Sequence, residues 1–245
     1  MGKTIVITGA GVGLGRALAR RFAADGETVI LLGRTYSKVQ TLAEELGAPH
    51  FAVECDVQSA DSVRAAFAEI AKRHPGIDVL INNAATYEPF MVENGTDEQI
   101  LGSVLTNLAG PIFTSRAAIP MMEKGGYIIN VTSESVALEF PMLSLYQSTK
   151  AGLERFTASL SRELEPAGIR VSTVRAGPMY EEGKGNPDWD MEAAMQFHQS
   201  CKAFGIDLMS RPVSQVASVT AVFRALLDLP ADVRVTHASI EARHS

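Results

Sequence analysis

A tyrosine and a lysine four residues apart are the side chains of this sequence best placed to do chemistry. Tyr146 and Lys150 lie in the run YQSTK, at the start of a segment whose pattern predicts a helix from about Leu145 to Glu165. Because residues four apart share a helix face, the ammonium group should favour the phenolate and lower the tyrosine pKa. The spacing therefore predicts that Tyr146 is a general acid or base; two exposed helix residues are the alternative.

A glycine-rich turn near the start of the chain has the form of a phosphate-binding loop. The run TGAGVGLG lies between a predicted strand, Thr4–Thr8, and a helix that begins near Leu14. Glycines let the backbone approach a pyrophosphate closely, and the helix N terminus offers free N–H groups. A glycine-rich turn without a ligand is the alternative. The context predicts a dinucleotide site formed by Gly9, Gly11, Val12, Gly13, Leu14 and Gly15.

The end of the second predicted strand indicates which dinucleotide is bound. An acidic residue at this place would hydrogen-bond the ribose 2′-hydroxyl of NAD. Here Leu32-Gly33-Arg34 has no acid, and the guanidinium suits the 2′-phosphate of NADP. The sequence therefore predicts NADP (NADPH) rather than NAD; a solvated surface arginine is the alternative.

Strand and helix patterns alternate along the chain and must position these residues. The predicted strands are Thr4–Thr8, Thr28–Leu32, His50–Glu54, Val79–Asn82, Tyr127–Val131, Ile169–Val174 and Val233–Ile240. The helix between the fourth and fifth strands carries Ile100, Val104, Leu108 and Ile112 on one face, and a last helix is predicted over Ser214–Leu227. This order predicts an α/β fold: a three-layer, doubly wound parallel sheet (Rossmann fold) forming a single domain over residues 1–245.

The segment from Pro178 to Pro212 interrupts that alternation. It is long, and its large apolar side chains make disorder a poor description. We interpret it as a partly helical lid over a pocket for an apolar or aromatic substrate. The alternative is a helix pair that packs on the body or on a second subunit.

Composition excludes several classes of function. The net charge is −6, so the chain lacks the basic surface that nucleic acids or anionic membranes require. No apolar run approaches the ~18 residues of a membrane span, and no signal peptide is recognisable. Cys55 and Cys201 have no metal-ligand spacing, which predicts no metal site and a reducing, cytoplasmic location.

Seven short motifs together resemble the short-chain dehydrogenase/reductase family over nearly the whole chain. They are TGAGVGLG at Thr8, CDV at 55–57, NNAA at 82–85, TNLAG around Asn107, NVTS ending at Ser133, YQSTK at Tyr146 and RAGP at 175–178. Their order and spacing match the family. The resemblance implies an NAD(P)-dependent enzyme of the carbonyl reductase or 3-oxoacyl-carrier-protein reductase kind, and a homotetramer or homodimer packed through the fourth and fifth helices.

The resemblance also implies roles for individual residues. Ser133 would bind the substrate oxygen, Tyr146 would transfer the proton, and Lys150 would lower the tyrosine pKa and bind the nicotinamide ribose. Asn107 would hold a water that connects Lys150 to solvent. The remaining cofactor contacts would come from Asp56 and Val57 beside the adenine, Asn83 and Ala84 near the ribose, and the backbone around Gly177 and Met179 at the carboxamide.

Four positions depart from the family's usual pattern. Ala85 and Ala176 replace a glycine and a proline, and Glu181 stands where a threonine commonly bonds the carboxamide. Arg175, which occupies a position usually held by a small polar residue, could pair with an acid or with a substrate carboxylate.

We expect reduction of a ketone, or oxidation of a secondary alcohol, by hydride transfer. A 3-oxoacyl thioester on an acidic carrier protein would require a basic patch, and the sequence shows none. A catalytically silent nucleotide sensor or scaffold is the alternative from another class, and retention of both Tyr146 and Lys150 speaks against it.

Overall fold

The computed structural model describes residues 2–181, 189–230 and 232–243. Alternating strands and helices follow in the predicted order. The strands are β1 (Thr4–Thr8), β2 (Thr28–Gly33), β3 (Phe51–Glu54), β4 (Val79–Asn82), β5 (Tyr127–Ser133), β6 (Arg170–Ala176), β7 (Met179–Tyr180), β8 (Ser214–Gln215) and β9 (His237–Ile240). The α-helices are α1 (Gly13–Ala24), α2 (Tyr36–Leu46), α3 (Ala60–Arg73), α4 (Asp97–Val104), α5 (Gly110–Ala118), α6 (Ser144–Glu163), α7 (Met191–Ala203) and α8 (Val216–Asp228).

Seven parallel strands form one sheet, in the order β3-β2-β1-β4-β5-β6-β9. Side chains of α1, α2 and α8 bury one face of the sheet, and those of α3, α5 and α6 bury the other. The predicted three-layer Rossmann fold is confirmed. Because strand order reverses between β1 and β4, their carboxyl ends diverge and leave a crevice in which such folds bind ligands.

Two predicted boundaries near the C terminus were wrong. Ser214 and Gln215 do not begin the last helix; they form β8, which pairs with β7. The last strand begins at His237 rather than Val233, because the N–H of Val233 donates to the Pro230 carbonyl at 3.0 Å instead of to a strand. Only His237–Ile240 is in register with β6.

One long helical segment contains a π turn that the sequence pattern did not predict. The helix α4, the π segment Leu105–Ala109 and α5 follow one another without a break. Its most buried side is small and polar, whereas the predicted apolar stripe is only half-buried; the stripe is Ile100, Val104, Leu108 and Ile112. The reason lies in the sheet, which offers buried amides to this helix rather than an apolar surface.

Those amides form a hydrogen-bonded polar seam beneath the sheet. Asn82 Nδ2 donates to Asn130 Oδ1 at 2.8 Å, and Asn82 Oδ1 accepts from Thr114 Oγ1 at 2.6 Å. Asn130 Nδ2 donates to Thr157 Oγ1 at 2.9 Å, which ties the seam to α6. Buried polar groups are stable only when they are bonded in this way, so the helix must present hydroxyl groups here.

Candidate active site

A cleft of about 970 Å³ opens at the carboxyl ends of the strands, on both sides of the switch between β1 and β4. Its volume lies at the upper end of the range of small-molecule and cofactor sites. Nearly all predicted site residues line it: Gly9, Gly11, Val12, Gly13, Leu14, Arg34, Asp56, Val57, Asn83, Ala84, Ser133, Tyr146, Lys150, Gly177 and Met179. Gly15 and Asn107 do not line the cleft; both lie behind its wall.

The glycine turn is shaped for a ligand that needs backbone N–H groups. Gly9 and Gly13 adopt φ values of +65° and +55°, which side chains rarely permit. A Cβ atom on Gly15 would lie 2.3 Å from the Gly9 carbonyl oxygen. Gly15 therefore lets α1 begin directly against β1, so that its N terminus faces the cleft.

Two residues after β4 hold this wall of the cleft against β1. The hydroxyl of Thr8 accepts hydrogen bonds from the backbone N–H groups of Asn83 and Ala84, both at 3.0 Å. The Asn83 amide in turn donates to the Thr8 carbonyl at 3.0 Å. Both predicted residues therefore lie where the two strands diverge.

The end of β2 presents two cations to the cleft. Arg34 is exposed and lines the cleft, as does Lys38 in the first turn of α2. Within the described ranges, neither cation takes part in an ion pair. Sequence reasoning missed Lys38, although its place four residues after Arg34 was available as a signal.

The residues that follow β3 form the opposite side of this end of the cleft. Asp56 uses its carboxylate to accept the Gln58 N–H at 3.0 Å, which fixes the turn after β3. Val57 is buried, and its Cβ would lie only 3.0 Å from a Cβ added to Gly110. These contacts place an apolar side chain and a polar turn at the cleft.

Ser133 and Tyr146 meet at the other end of the cleft. Ser133 is the last residue of β5, and its hydroxyl accepts the Ser135 N–H at 3.2 Å. Burial raises the pKa of Tyr146 to about 12, and the neighbouring Ser133 hydroxyl opposes this rise without overcoming it. Tyr146 therefore keeps its proton at neutral pH.

Lys150 lies beneath the tyrosine on the same helix. Its side chain is buried, its Nζ donates to the Val131 carbonyl at 3.0 Å, and Nζ lies 5.8 Å from the centroid of the Tyr146 ring. Burial lowers the Lys150 pKa to about 8. Tyr146 and Lys150 lie on one helix face as predicted. The predicted lowering of the tyrosine pKa is not found, because burial is the largest influence on the pKa of both groups.

Asn107 lies in the π turn and is fully buried. Its Nδ2 donates to the Thr86 carbonyl at 2.7 Å, and its Oδ1 accepts the Thr86 N–H at 3.0 Å. The side chain therefore anchors the segment after β4 to the long helix. A regular α-helix would turn this residue in another direction, since the π turn adds a residue.

Aromatic side chains enclose the space above Tyr146. The ring of Tyr87 lies 5.5 Å from that of Tyr146 and 5.0 Å from Trp189, whose Nε1 donates to the Tyr87 carbonyl at 3.0 Å. Trp189 contacts Phe197 of α7 edge to face at 5.8 Å. The described part of the interrupting segment thus forms an apolar wall of the cleft; the predictions for 182–188 lie outside the described residues.

Arg175 and Glu181, two of the departures from the family pattern, and the neighbouring Gly177 each have a clear structural place. Arg175 pairs with an acid, the alternative left open above: its Nε and Nη2 reach the Glu154 carboxylate at 3.0 and 2.7 Å. Gly177 needs to be glycine because a Cβ would lie 2.7 Å from the Ile240 carbonyl oxygen. Glu181 points away from the tyrosine and binds the N terminus of α1.

Fold and cleft together define a protein that binds a dinucleotide at the switch point of a parallel sheet. A family model described as short chain dehydrogenase matches residues 3–186. The chain belongs to this family, and so is an NAD(P)-dependent oxidoreductase. None of the helices in the described residues combines the length and apolar character needed to cross a bilayer.

Individual relatives agree with that assignment. An uncharacterized short-chain type dehydrogenase/reductase, y4vI, of Sinorhizobium fredii is 34% identical over 227 residues; the match covers 91% of this chain and 41% of that protein. Carbonyl reductase family member 4 of Danio rerio is 32% identical over 184 residues, covering 74% of this chain and 78% of the relative. The structure of an alcohol dehydrogenase from Thermococcus sibiricus, complexed with 5-hydroxy-NADP, superposes with a TM-score of 0.82 at 25% identity, covering 99% and 97% of the two chains.

Proposed function

We propose that this protein is an NADPH-dependent reductase that interconverts a ketone and a secondary alcohol, with Tyr146 as the general acid or base. The observation that carries the proposal is that Ser133, Tyr146 and Lys150 line one end of a cleft whose other end has a glycine turn. A bound nicotinamide would supply the hydride to the carbonyl carbon. The site residues would bind the substrate and deliver the proton.

Each residue has a definite part in this proposal. The two hydroxyl groups would stabilise the charge that grows on the carbonyl oxygen, and Tyr146 would give its proton to that oxygen. Lys150 would bind the nicotinamide ribose and supply positive charge beside the phenolate that forms. Asn107, which is bonded to the backbone of Thr86, would hold the water that returns a proton to the site.

The first prediction concerns the tyrosine. Tyr146→Phe keeps the ring and its contact with Tyr87 but removes the transferred proton. We expect kcat for ketone reduction to fall by about 10²–10³ or more, while the Kd for NADPH stays within about twofold. NADPH oxidation with a panel of aromatic ketones, aliphatic ketones and a 3-oxoacyl thioester measures the rate.

Two outcomes would contradict the proposal in different ways. Turnover that survives in Tyr146→Phe would remove Tyr146 from its role as acid. Tight NADPH binding with no turnover of any substrate by the unmodified protein would instead favour the sensor or scaffold alternative. Ser148→Ala, at an exposed position on the same helix, is the matched control and should leave both constants unchanged.

The second prediction concerns the choice of cofactor. Arg34 and Lys38 border the cleft at the end of β2, where an acid would select NAD. We expect Arg34→Ala to raise the KM for NADPH by about tenfold and to leave the KM for NADH nearly unchanged, because only NADPH carries the 2′-phosphate. Equal effects on both cofactors would contradict a 2′-phosphate contact. Arg64→Ala, at an exposed position on α3, is the control.

The substrate end of the cleft favours an apolar or aromatic ketone. Tyr87, Trp189 and Phe197 face the space above Tyr146, and apolar side chains continue this wall through Phe140, Met142 and Leu143. We propose that residues 178–212 act as the lid of this pocket within a single catalytic domain. The family member named as a carbonyl reductase supports this choice of reaction.

We also propose a homotetramer or homodimer in the cytoplasm. Leu101 and Val92, near the fourth predicted helix, are large apolar residues with most of their surface exposed, which suits a face covered by a second copy. Phe156 and Leu160 of α6 both pack on the core beneath the sheet, where Leu160 is buried and Phe156 is half-buried. Both cysteines are free and buried, which suits a reducing compartment.

A further inference from the structure

Glu181 places a carboxylate at the N terminus of α1. Its Oε2 accepts the backbone N–H of Gly13 at 3.1 Å, and its Oε1 accepts Nε–H of Arg16 at 2.9 Å. The Glu181 side chain is only 13% exposed. Val12, the residue that precedes α1, has no side-chain bond to the helix, so the cap comes from a residue 168 positions away.

The contact is made with the part of the glycine turn that a dinucleotide requires. Gly13 begins α1, and its N–H is one of the donors that have no partner within the helix. In this fold the cofactor's pyrophosphate lies at the same helix N terminus. A carboxylate and a pyrophosphate are both anions, and they cannot share these donors without repulsion and loss of hydrogen bonds.

The chain around Glu181 holds the carboxylate in this place. The preceding strand, β7, pairs with β8, and the Ser214 N–H donates to the Pro178 carbonyl at 3.0 Å. The Tyr180 hydroxyl accepts from Gln215 Nε2 at 2.9 Å. Glu181 therefore follows a segment that is already fixed beside the cleft, and ordering it at the turn costs little additional entropy.

We propose that Glu181 competes with the cofactor's pyrophosphate for the N terminus of α1, and so sets the affinity for the dinucleotide. The carboxylate must leave the Gly13 N–H before the pyrophosphate can bind. The apparent Kd for the dinucleotide is therefore the intrinsic Kd divided by the fraction of molecules in which the carboxylate has left. The inference rests on the proposed binding of NADPH.

The test compares ligands with and without a pyrophosphate. Calorimetric titration of Glu181→Gln should show a Kd for NADPH and for ADP-ribose lower by about three- to tenfold, since a neutral amide neither repels the pyrophosphate nor holds Arg16 as strongly. The Kd for adenosine 2′-monophosphate, which has no pyrophosphate, should stay unchanged. Glu45→Gln is the matched control. Glu45 pairs with Arg20 of α1 at 2.8 Å, and both side chains are exposed.

Each other result has a definite meaning. Unchanged or weaker NADPH binding in Glu181→Gln overturns the inference and leaves the proposed function standing. Equal tightening of adenosine 2′-monophosphate also overturns it, because the effect would then not depend on the pyrophosphate. A protein that binds neither NADPH nor ADP-ribose in any variant contradicts both the inference and the proposed function.

Discussion

Burial governs the ionisable groups of the site at the scale of single residues. It raises the pKa of Tyr146 to about 12 and lowers that of Lys150 to about 8, so each group is held closer to its neutral form. A tyrosine that keeps its proton suits reduction, in which the proton is given away. A lysine that is costly to charge is a stability penalty retained at a functional site.

That penalty predicts a pH-dependent gain from Lys150→Met. The lysine pKa is lowered from 10.5 to about 8, so between these values the unfolded chain binds more protons than the folded one. The stability of the unmodified protein therefore rises with pH through this window, and the full penalty applies below it. We expect Lys150→Met to raise the free energy of unfolding by ~2 kcal/mol at pH 7, allowing for the lost bond to Val131. The gain should shrink as the pH rises above about 8 and reverse by pH 10.5, where little remains but the lost bond to Val131.

Urea unfolding of both proteins at several pH values measures this difference. Lys202→Met is the control, because Lys202 is exposed on α7 and its replacement should not alter the pH dependence. A gain that is the same at every pH would contradict burial as the cause.

At the scale of elements, the cleft depends on how closely α1 approaches β1. A Cβ on Gly15 would lie 2.3 Å from the Gly9 carbonyl oxygen and 2.6 Å from Asn83 Nδ2. We therefore expect Gly15→Ala to lower the free energy of unfolding by about 1–3 kcal/mol and to weaken NADPH binding, since α1 must move away from the turn. Denaturant midpoints and NADPH titration measure the two effects.

Gly102→Ala separates packing from helix propensity in that experiment. Gly102 lies in α4, where an added Cβ would meet nothing within 4 Å. Its replacement should stabilise the protein by about 0.5–1 kcal/mol. Equal effects of the two substitutions would contradict the close approach of α1 to β1.

The elements also show where periodicity fails as a guide. Apolar residues three or four apart form the buried faces of α1 and α3: Leu14, Leu18 and Phe22, and Val63, Phe67 and Ile70. The pattern of the long fourth helix pointed to an apolar stripe, whereas the structure buries its polar side because Asn82 and Asn130 need partners. The π turn around Asn107 has no signature in hydrophobic spacing, which assumes a regular helix.

At the scale of the whole molecule, the sequence predicted the parallel sheet, and most of the predicted site residues line the cleft. Local motifs sufficed for these because each marks the end of a strand, and parallel strands all end at one edge. Contacts between distant segments could not be predicted, namely the Arg175–Glu154 pair and the Glu181 carboxylate at α1. Such contacts depend on the path of loops, which no period in the sequence describes.

The polar seam of Asn82, Asn130, Thr114 and Thr157 fixes more than local packing. Moving the long helix by one turn relative to the sheet would break the bonds of Asn82 to Thr114 and Ser115, at a cost of ~1–3 kcal/mol for each group left unpaired. An apolar contact surface would allow such sliding far more readily. The depth at which Asn107 lies below the cleft is therefore set by matched hydrogen-bond donors and acceptors. Substitutions among the surrounding apolar residues should leave that depth unchanged.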